Sequence, residues 1–154
     1  MNTYQVTESA IIDAPAETIY AIISDYNEGH PAILPTQYFK DLQVVEGGIG
    51  AGTVITVKME VFGQKVDYTM TITEPKPGRI LQEEDEAAGV LTTFTVDPIQ
   101  DTTRSQVTIA TTTKTKPGLK GWLEKTMNPI IARRIYQDEL AQLNRYALEK
   151  AKNT

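Results

Sequence analysis

Few residues in this chain are equipped to do chemistry. It has one histidine, His30, and one dense run of acids, Glu83-Glu84-Asp85-Glu86. A histidine titrates near neutral pH and can serve as a general base or as a polar contact for a ligand. Clustered acids are the pattern from which a carboxylate pair or a metal site arises, although a charge run beside a turn is ordinarily a solvated face. On a strand, Glu83 and Asp85 share a face with Leu81, while Gln82, Glu84 and Glu86 share the other. If Leu81 points inward, Glu83 enters the interior, where a protonated carboxyl could donate to a ligand carbonyl or act as a general acid.

Much else is excluded. A single histidine and no cysteine rule out a histidine-rich or thiolate metal site, a disulfide and a thiol nucleophile. No nucleophile elbow is present, and a triad lacks its parts. The stretch "GGIGAG" at 47–52 superficially suggests phosphate binding, but a strand pattern follows it where a helix is required. It reads as a flexible strand connection.

His30 sits in "DYNEGHPAILPTQYF", residues 25–39, between Pro31, Pro35 and the apolar pair Ile33-Leu34. Three roles are open to it: a structural loop residue, a polar group on the lip of a pocket, and a base, for which no partner is identifiable. In the lip reading Ile33 and Leu34 cover a cavity and the two prolines limit the loop's freedom.

The elements that must position these residues are legible from periodicity. Tyr4 to Ile12 alternates as a half-buried strand does. Asp13, Pro15 and Glu17 then mark a helix start, with Asp13 as the capping carboxylate, and Ile19, Ile22 and Ile23 give a short helix one buried stripe that ends near Asp25. Around Gly63-Gln64 a hairpin is predicted, pairing Val61 with Val66, Met59 with Tyr68, Val57 with Met70 and Ile55 with Ile72. That register sorts apolar from polar faces but sets Glu60 opposite Asp67. Strands "RILQEEDE" and "LTTFTVDP" flank Ala87-Ala88-Gly89, and "SQVTIATTT" follows a turn at 100–103. From about Pro117 the pattern is helical, interrupted at Asn128-Pro129. Leu119, Leu123, Met127, Ile131 and Ile135 form one stripe, and Ala132, Tyr136, Leu140, Leu143 and Ala147 another. A bend at Pro129 would let each half bury its own stripe, either as a static kink or as the hinge of a gate.

Strand, short helix, consecutive strands and a final helix define an α+β fold with an antiparallel sheet. At 154 residues with 40% hydrophobic and 23% charged residues, a single domain spanning 1–154 is expected, burying ~70% of its unfolded surface. The net charge of −5 disfavours nucleic acid and anionic membranes as partners. No apolar run approaches the ~18 residues of an integral membrane segment, and the amino terminus lacks a signal-peptide pattern, so a cytoplasmic location is expected.

Four motifs, "IIDAPAETIYAIISDY" at 11–26, "GGIGAGTVITV" at 47–57, "PKPGRILQEE" at 75–84 and "FTVDP" at 94–98, precede the long carboxy-terminal helix. Their order and spacing resemble the START-like, helix-grip superfamily, and within it the polyketide cyclase/dehydrase and lipid-transport (SRPBCC) group, over essentially the whole chain. The resemblance implies a curved antiparallel sheet of about seven strands wrapped on the long helix around an apolar cavity. "SDYNEGHPAILP" also looks like the loop of the coenzyme-Q-binding branch, with His30 where that branch has an aromatic residue.

Within such a fold, Val57, Met59, Tyr68 and Met70 on the hairpin are either plain core or a wall suited to a hydrophobic ligand with one oxygen. His30, Ile33, Leu34, Glu83, Phe94, Ile109, Met127 and Ile131 complete the expected ligand-binding set. No catalytic residue, metal or cofactor is expected. The function expected is binding, transport or sequestration of a small hydrophobic or lipid-like molecule by a monomer or weak homodimer. One alternative is a cyclase, dehydratase or isomerase acting on a polyketide-like or aromatic substrate through Tyr68, Glu83 and His30. Another is a partner-binding module that uses Ile131 or Ile135 as its contact.

Overall fold

The computed structural model describes residues 3–99, 102–114 and 129–152. In chain order these form β1 (Thr3–Ile12), α1 (Ala16–Ser24), α2 (Gly29–Ile33), β2 (Phe39–Glu46), β3 (Val54–Val61), β4 (Gln64–Lys76), β5 (Ile80–Asp85), β6 (Val90–Ile99), β7 (Arg104–Lys114) and α3 (Pro129–Lys152). All seven strands join one antiparallel sheet in the order β1-β7-β6-β5-β4-β3-β2. Register shifts in β2 and β4 bend it. The expected helix-grip architecture is therefore present: a curved sheet, two short helices after the first strand, and a long helix against the inner face.

Alternation decides which side chains face α3. Ile55, Val57, Met59 and Val61 of β3 and Val66, Tyr68, Met70 and Ile72 of β4 are buried, while their neighbours in sequence are not. The inner faces of β5, β6 and β7 add Leu81, Phe94, Val96, Val107 and Ile109. On α3, Ala132, Ile135, Tyr136, Leu140, Leu143 and Ala147 fall on one stripe and are buried. Ile135 thus shares the stripe of Tyr136 instead of lying on a second one, and Ile131 is partly buried against the core. Neither is an exposed partner contact. Leu119, Leu123, Met127 and Asn128 lie outside the described residues, and with them the proposed bend.

The β3–β4 hairpin keeps the expected faces but not the expected register. Val61 pairs with Gln64, Met59 with Val66, Val57 with Tyr68 and Ile55 with Met70. The turn is Phe62-Gly63, and both residues have positive φ, at 49° and 79°, as a type I′ turn requires. A shift of two residues leaves the inner set unchanged, so burial does not choose between the registers. Charge does. The observed pairing sets Lys58 opposite Asp67 and Glu60 opposite Lys65, replacing the like-charge juxtaposition of Glu60 and Asp67 with two attractive pairs.

Asp13 does not cap α1. Pro15 holds the N-cap position in extended geometry with no side-chain bond, and the Asp13 carboxylate instead accepts from Arg104 Nε at 3.0 Å, tying the end of β1 to the start of β7. The glycine-rich segment 47–52 is not a free connection either. Gly48 O accepts from Tyr26 N at 2.8 Å and Gly50 N donates to Ser24 O at 2.9 Å, which fixes the exit of α1 against the sheet.

Phe62 is 79% exposed, so it packs on little while adopting a conformation that costs a bulky residue ~1–2 kcal/mol. Phe62→Asn should raise stability by ~1 kcal/mol in urea unfolding, because asparagine tolerates positive φ. A loss of stability would contradict the type I′ turn.

Candidate functional site

Between the sheet and α3 lies a cavity of about 60 Å3. Leu34, Phe39, Val57, Met59, Met70, Val90, Phe94, Ala132 and Ile135 supply its apolar walls, and Tyr68, Glu83, Thr92, Thr111, Tyr136 and Glu139 its polar groups. Leu34 follows α2 and is held in place where Gln142 of α3 donates to the Ala32 and Leu34 carbonyls.

Glu83 is 9% exposed and enters the cavity wall beside fully buried Leu81, as strand alternation demands. Its Oε2 accepts from the Tyr26 hydroxyl at 2.6 Å and lies 3.3 Å from His30 Nε2. His30 Nδ1 sits 2.8 Å from the Ile23 carbonyl, an oxygen that can only accept, so Nδ1 carries a hydrogen. Nε2 is thereby turned toward the Glu83 carboxyl. The imidazole stacks on Tyr26 with centroids 4.4 Å apart and meets Phe94 edge-on at 5.5 Å. Burial first, then the charge and hydrogen bond of Glu83, push the Tyr26 hydroxyl well above its ordinary pKa, so it remains a donor. The second oxygen of Glu83, Oε1, makes no hydrogen bond among the described residues.

Local sequence explains how this cluster is held. His30 N donates to Asp25 O at 2.7 Å, and Asp25 Oδ1 accepts from the backbone of Asn27 and Glu28, which makes 25–30 a tight turn. Gly29 is required at the packing of α2 on α1, since a Cβ there would lie 2.5 Å from the Ile22 carbonyl oxygen.

A second carboxyl, Glu139, reaches the cavity from α3. It is 3% exposed and makes no hydrogen bond among the described residues. Burial first, then repulsion by Glu83, hold its carboxyl pKa well above the ordinary range. The Tyr68 hydroxyl is also buried and unpartnered, and burial keeps it protonated. By contrast, the Thr92 and Thr111 hydroxyls bond each other at 2.8 Å and Thr111 bonds Tyr136. Those three satisfy one another. Among the described residues, the cavity's polar groups without a hydrogen bond are thus the Tyr68 hydroxyl, the Glu139 carboxyl and one carboxyl oxygen of Glu83, set in apolar walls.

Of the sequence-predicted set, Leu34, Val57, Met59, Tyr68, Met70, Glu83 and Phe94 line this cavity together. Ile33 and Ile109 are buried in the core without lining it, and Ile131 packs against that core. Met127 lies outside the described residues. His30 is neither a loop residue nor a rim group: it belongs to α2, is 2% exposed, and stands behind Glu83. Tyr26 and Glu139 were missed. Glu139 had a signal, since it falls three residues after Tyr136 and four before Leu143 on the buried stripe; Tyr26 had none short of the fold.

A curved antiparallel sheet closing on a carboxy-terminal helix, with a cavity between them, defines a START-like, helix-grip protein. More narrowly, the chain belongs to the polyketide cyclase/dehydrase and lipid transport family, whose model matches residues 3–148. Among solved structures it is similar to the KanY protein, at 32% identity over 96% of this chain and 99% of that one, with a TM-score of 0.82. It shares its fold with norcoclaurine synthase from Thalictrum flavum in complex with dopamine and hydroxybenzaldehyde, at 19% identity over 96% and 88% of the two chains and a TM-score of 0.69. It shares it also with the Zhui aromatase/cyclase from Streptomyces sp. R1128, at 17% identity over 98% and 94% and a TM-score of 0.64. A comparison with curated proteins finds no match. Among the described residues no helix is long and apolar enough to cross a membrane.

The raised pKa of Glu139 fixes a sign. Between the ordinary carboxylate range and the raised folded value, the unfolded chain has lost this proton and the folded chain keeps it, so stability falls as pH rises through that window. Glu139→Gln removes this dependence. Its stability relative to the parent should be near parity in acid and increasingly favourable toward neutral and alkaline pH, read by denaturant unfolding at several pH values. A constant difference would mean Glu139 is not held protonated.

Proposed function

We propose that the protein binds a small hydrophobic or lipid-like molecule in the cavity between the sheet and α3, for transport or sequestration. The observation that carries this reading is the Tyr68 hydroxyl, buried without a partner on an otherwise apolar wall. A buried hydroxyl left unpaired costs ~1–3 kcal/mol, and a ligand oxygen would recover it. The cavity is smaller than the ~150 Å3 that admits benzene in an engineered protein core, so entry requires its walls to move. Met59 and Met70 are suited to that, being unbranched and adaptable.

A second reading, acid–base catalysis of the cyclase or dehydratase kind, is favoured by one specific observation. Glu83 has one oxygen held by Tyr26 and faced by His30, while the other makes no hydrogen bond among the described residues. A carboxyl so fixed and backed by an imidazole can give or take a proton at a substrate atom. It ranks second because binding needs only the cavity, whereas turnover needs a substrate placed at Oε1.

An environment-sensitive apolar dye should bind with micromolar affinity, and Met70→Trp, which fills the cavity, should abolish binding with the fold retained. Equal binding by the variant would place the dye elsewhere. Native mass spectrometry of protein from its own host then seeks the bound molecule. With that molecule in hand, Glu83→Gln should change affinity by about tenfold or less, ~1.4 kcal/mol. A loss of turnover of ~100-fold or more at unchanged affinity would favour catalysis instead.

A further inference from the structure

The cavity carries a head-group preference that its apolar walls do not explain. Among the described residues no lysine or arginine lines it, and two carboxyl groups do. Glu83 already has a donor in Tyr26 and faces His30. Glu139 has none among the described residues, and neither does the Tyr68 hydroxyl, whose residue is 4% exposed. These groups stand on different walls: Tyr68 on β4 and Glu139 on α3. Resting on the binding function proposed above, we infer that Glu139 and Tyr68, facing the cavity from opposite walls, together select an uncharged apolar ligand ending in a hydrogen-bond acceptor such as a ketone, aldehyde or ester, and reject fatty acids and amines.

Each rejection has a physical cause. A carboxylate ligand would bring a further negative charge beside two carboxyl groups, with no cation among the described lining residues to offset it. An amine would need its own desolvation and the ionisation of Glu139, which burial and Glu83 oppose. A carbonyl oxygen needs neither. It accepts from groups that already hold their hydrogens and would otherwise stay unsatisfied.

The inference also fixes how binding responds to pH. Among the described residues, the titratable groups around Glu139 are Glu83 from β5, with His30 of α2 behind it, Tyr26 from the α1–α2 turn and Tyr136 from α3 itself, with Tyr68 of β4 lining the same cavity. Ionisation of Glu139 removes a donor and places a charge against the ligand oxygen, so carbonyl binding weakens as pH rises through its raised pKa. Glutamine at this position keeps a donor in its amide but cannot ionise.

The test is isothermal titration of the full chain with four probes of similar size: benzylacetone, butylbenzene, phenylbutylamine and hydrocinnamate, from mildly acidic to alkaline pH. Benzylacetone should bind about tenfold tighter than butylbenzene at the acid end, with the amine and the carboxylate weaker still. Its affinity should fall with pH in the parent and stay level in Glu139→Gln, while Glu139→Leu binds it no better than butylbenzene. Preference for the amine would make Glu139 a counter-ion and overturn the inference. So would hydrocinnamate binding as well as benzylacetone, or a pH fall persisting in Glu139→Gln, which would place the titrating group elsewhere. Equal binding of ketone and hydrocarbon would overturn head-group selection alone and leave the hydrophobic cavity standing. Failure of every probe to bind would overturn both.

Discussion

A carboxyl group taken out of water must be paired, hydrogen-bonded or neutral, because an unsatisfied buried charge costs several kcal/mol. Glu83 imposes that condition at the centre of this sheet. Strand alternation turns it inward with Leu81, and the groups that meet it come from the segment just after α1: Tyr26 from the turn between the two short helices and His30 from α2. The placement of that segment is therefore not free. Gly29 lets α2 approach the Ile22 carbonyl, the glycine-rich loop at 47–52 bonds the exit of α1, and the Ser105 hydroxyl bonds Ala14 O at its entry. Each contact stands some distance from Glu83, yet each fixes where its partners lie.

The other half of the cavity follows the opposite logic. Among the described residues the Tyr68 hydroxyl has no partner and buried Glu139 makes no hydrogen bond, and a buried polar group left unsatisfied lowers the stability of the ligand-free protein. Leucine at position 139 would extend the apolar stripe of α3, and phenylalanine at 68 would leave no hydroxyl to satisfy. A sequence that retains polar groups at a stability cost in an apolar cavity is best explained by what they do when the cavity is filled. The Thr92–Thr111–Tyr136 chain shows the contrast, because there the hydroxyls bond one another.

How much of this was legible in the sequence depended on whether the deciding interaction was periodic. The inner faces of β3 and β4 were, because alternation marks them, and the inward turn of Glu83 followed from Leu81 two residues earlier. The hairpin register is not fixed by burial, since a two-residue shift preserves the faces; the charges of Lys58, Glu60, Lys65 and Asp67 hold that information. His30 was misplaced because its partner belongs to a distant strand, and only the closed fold brings the two within 3.3 Å. Glu139 was overlooked for a simpler reason. A stripe traced through apolar residues passes over the one acid that lies on it.

The central claim is that the inner wall of the hairpin is a ligand surface and not inert core. The most direct measurement is two-dimensional NMR of protein labelled at the methionine methyl groups, titrated with an apolar molecule that the protein binds. Met59 and Met70 both line the cavity, so the account predicts that both methyl resonances shift and that both show cross-relaxation to the bound molecule. Binding that leaves the two resonances in place would contradict it.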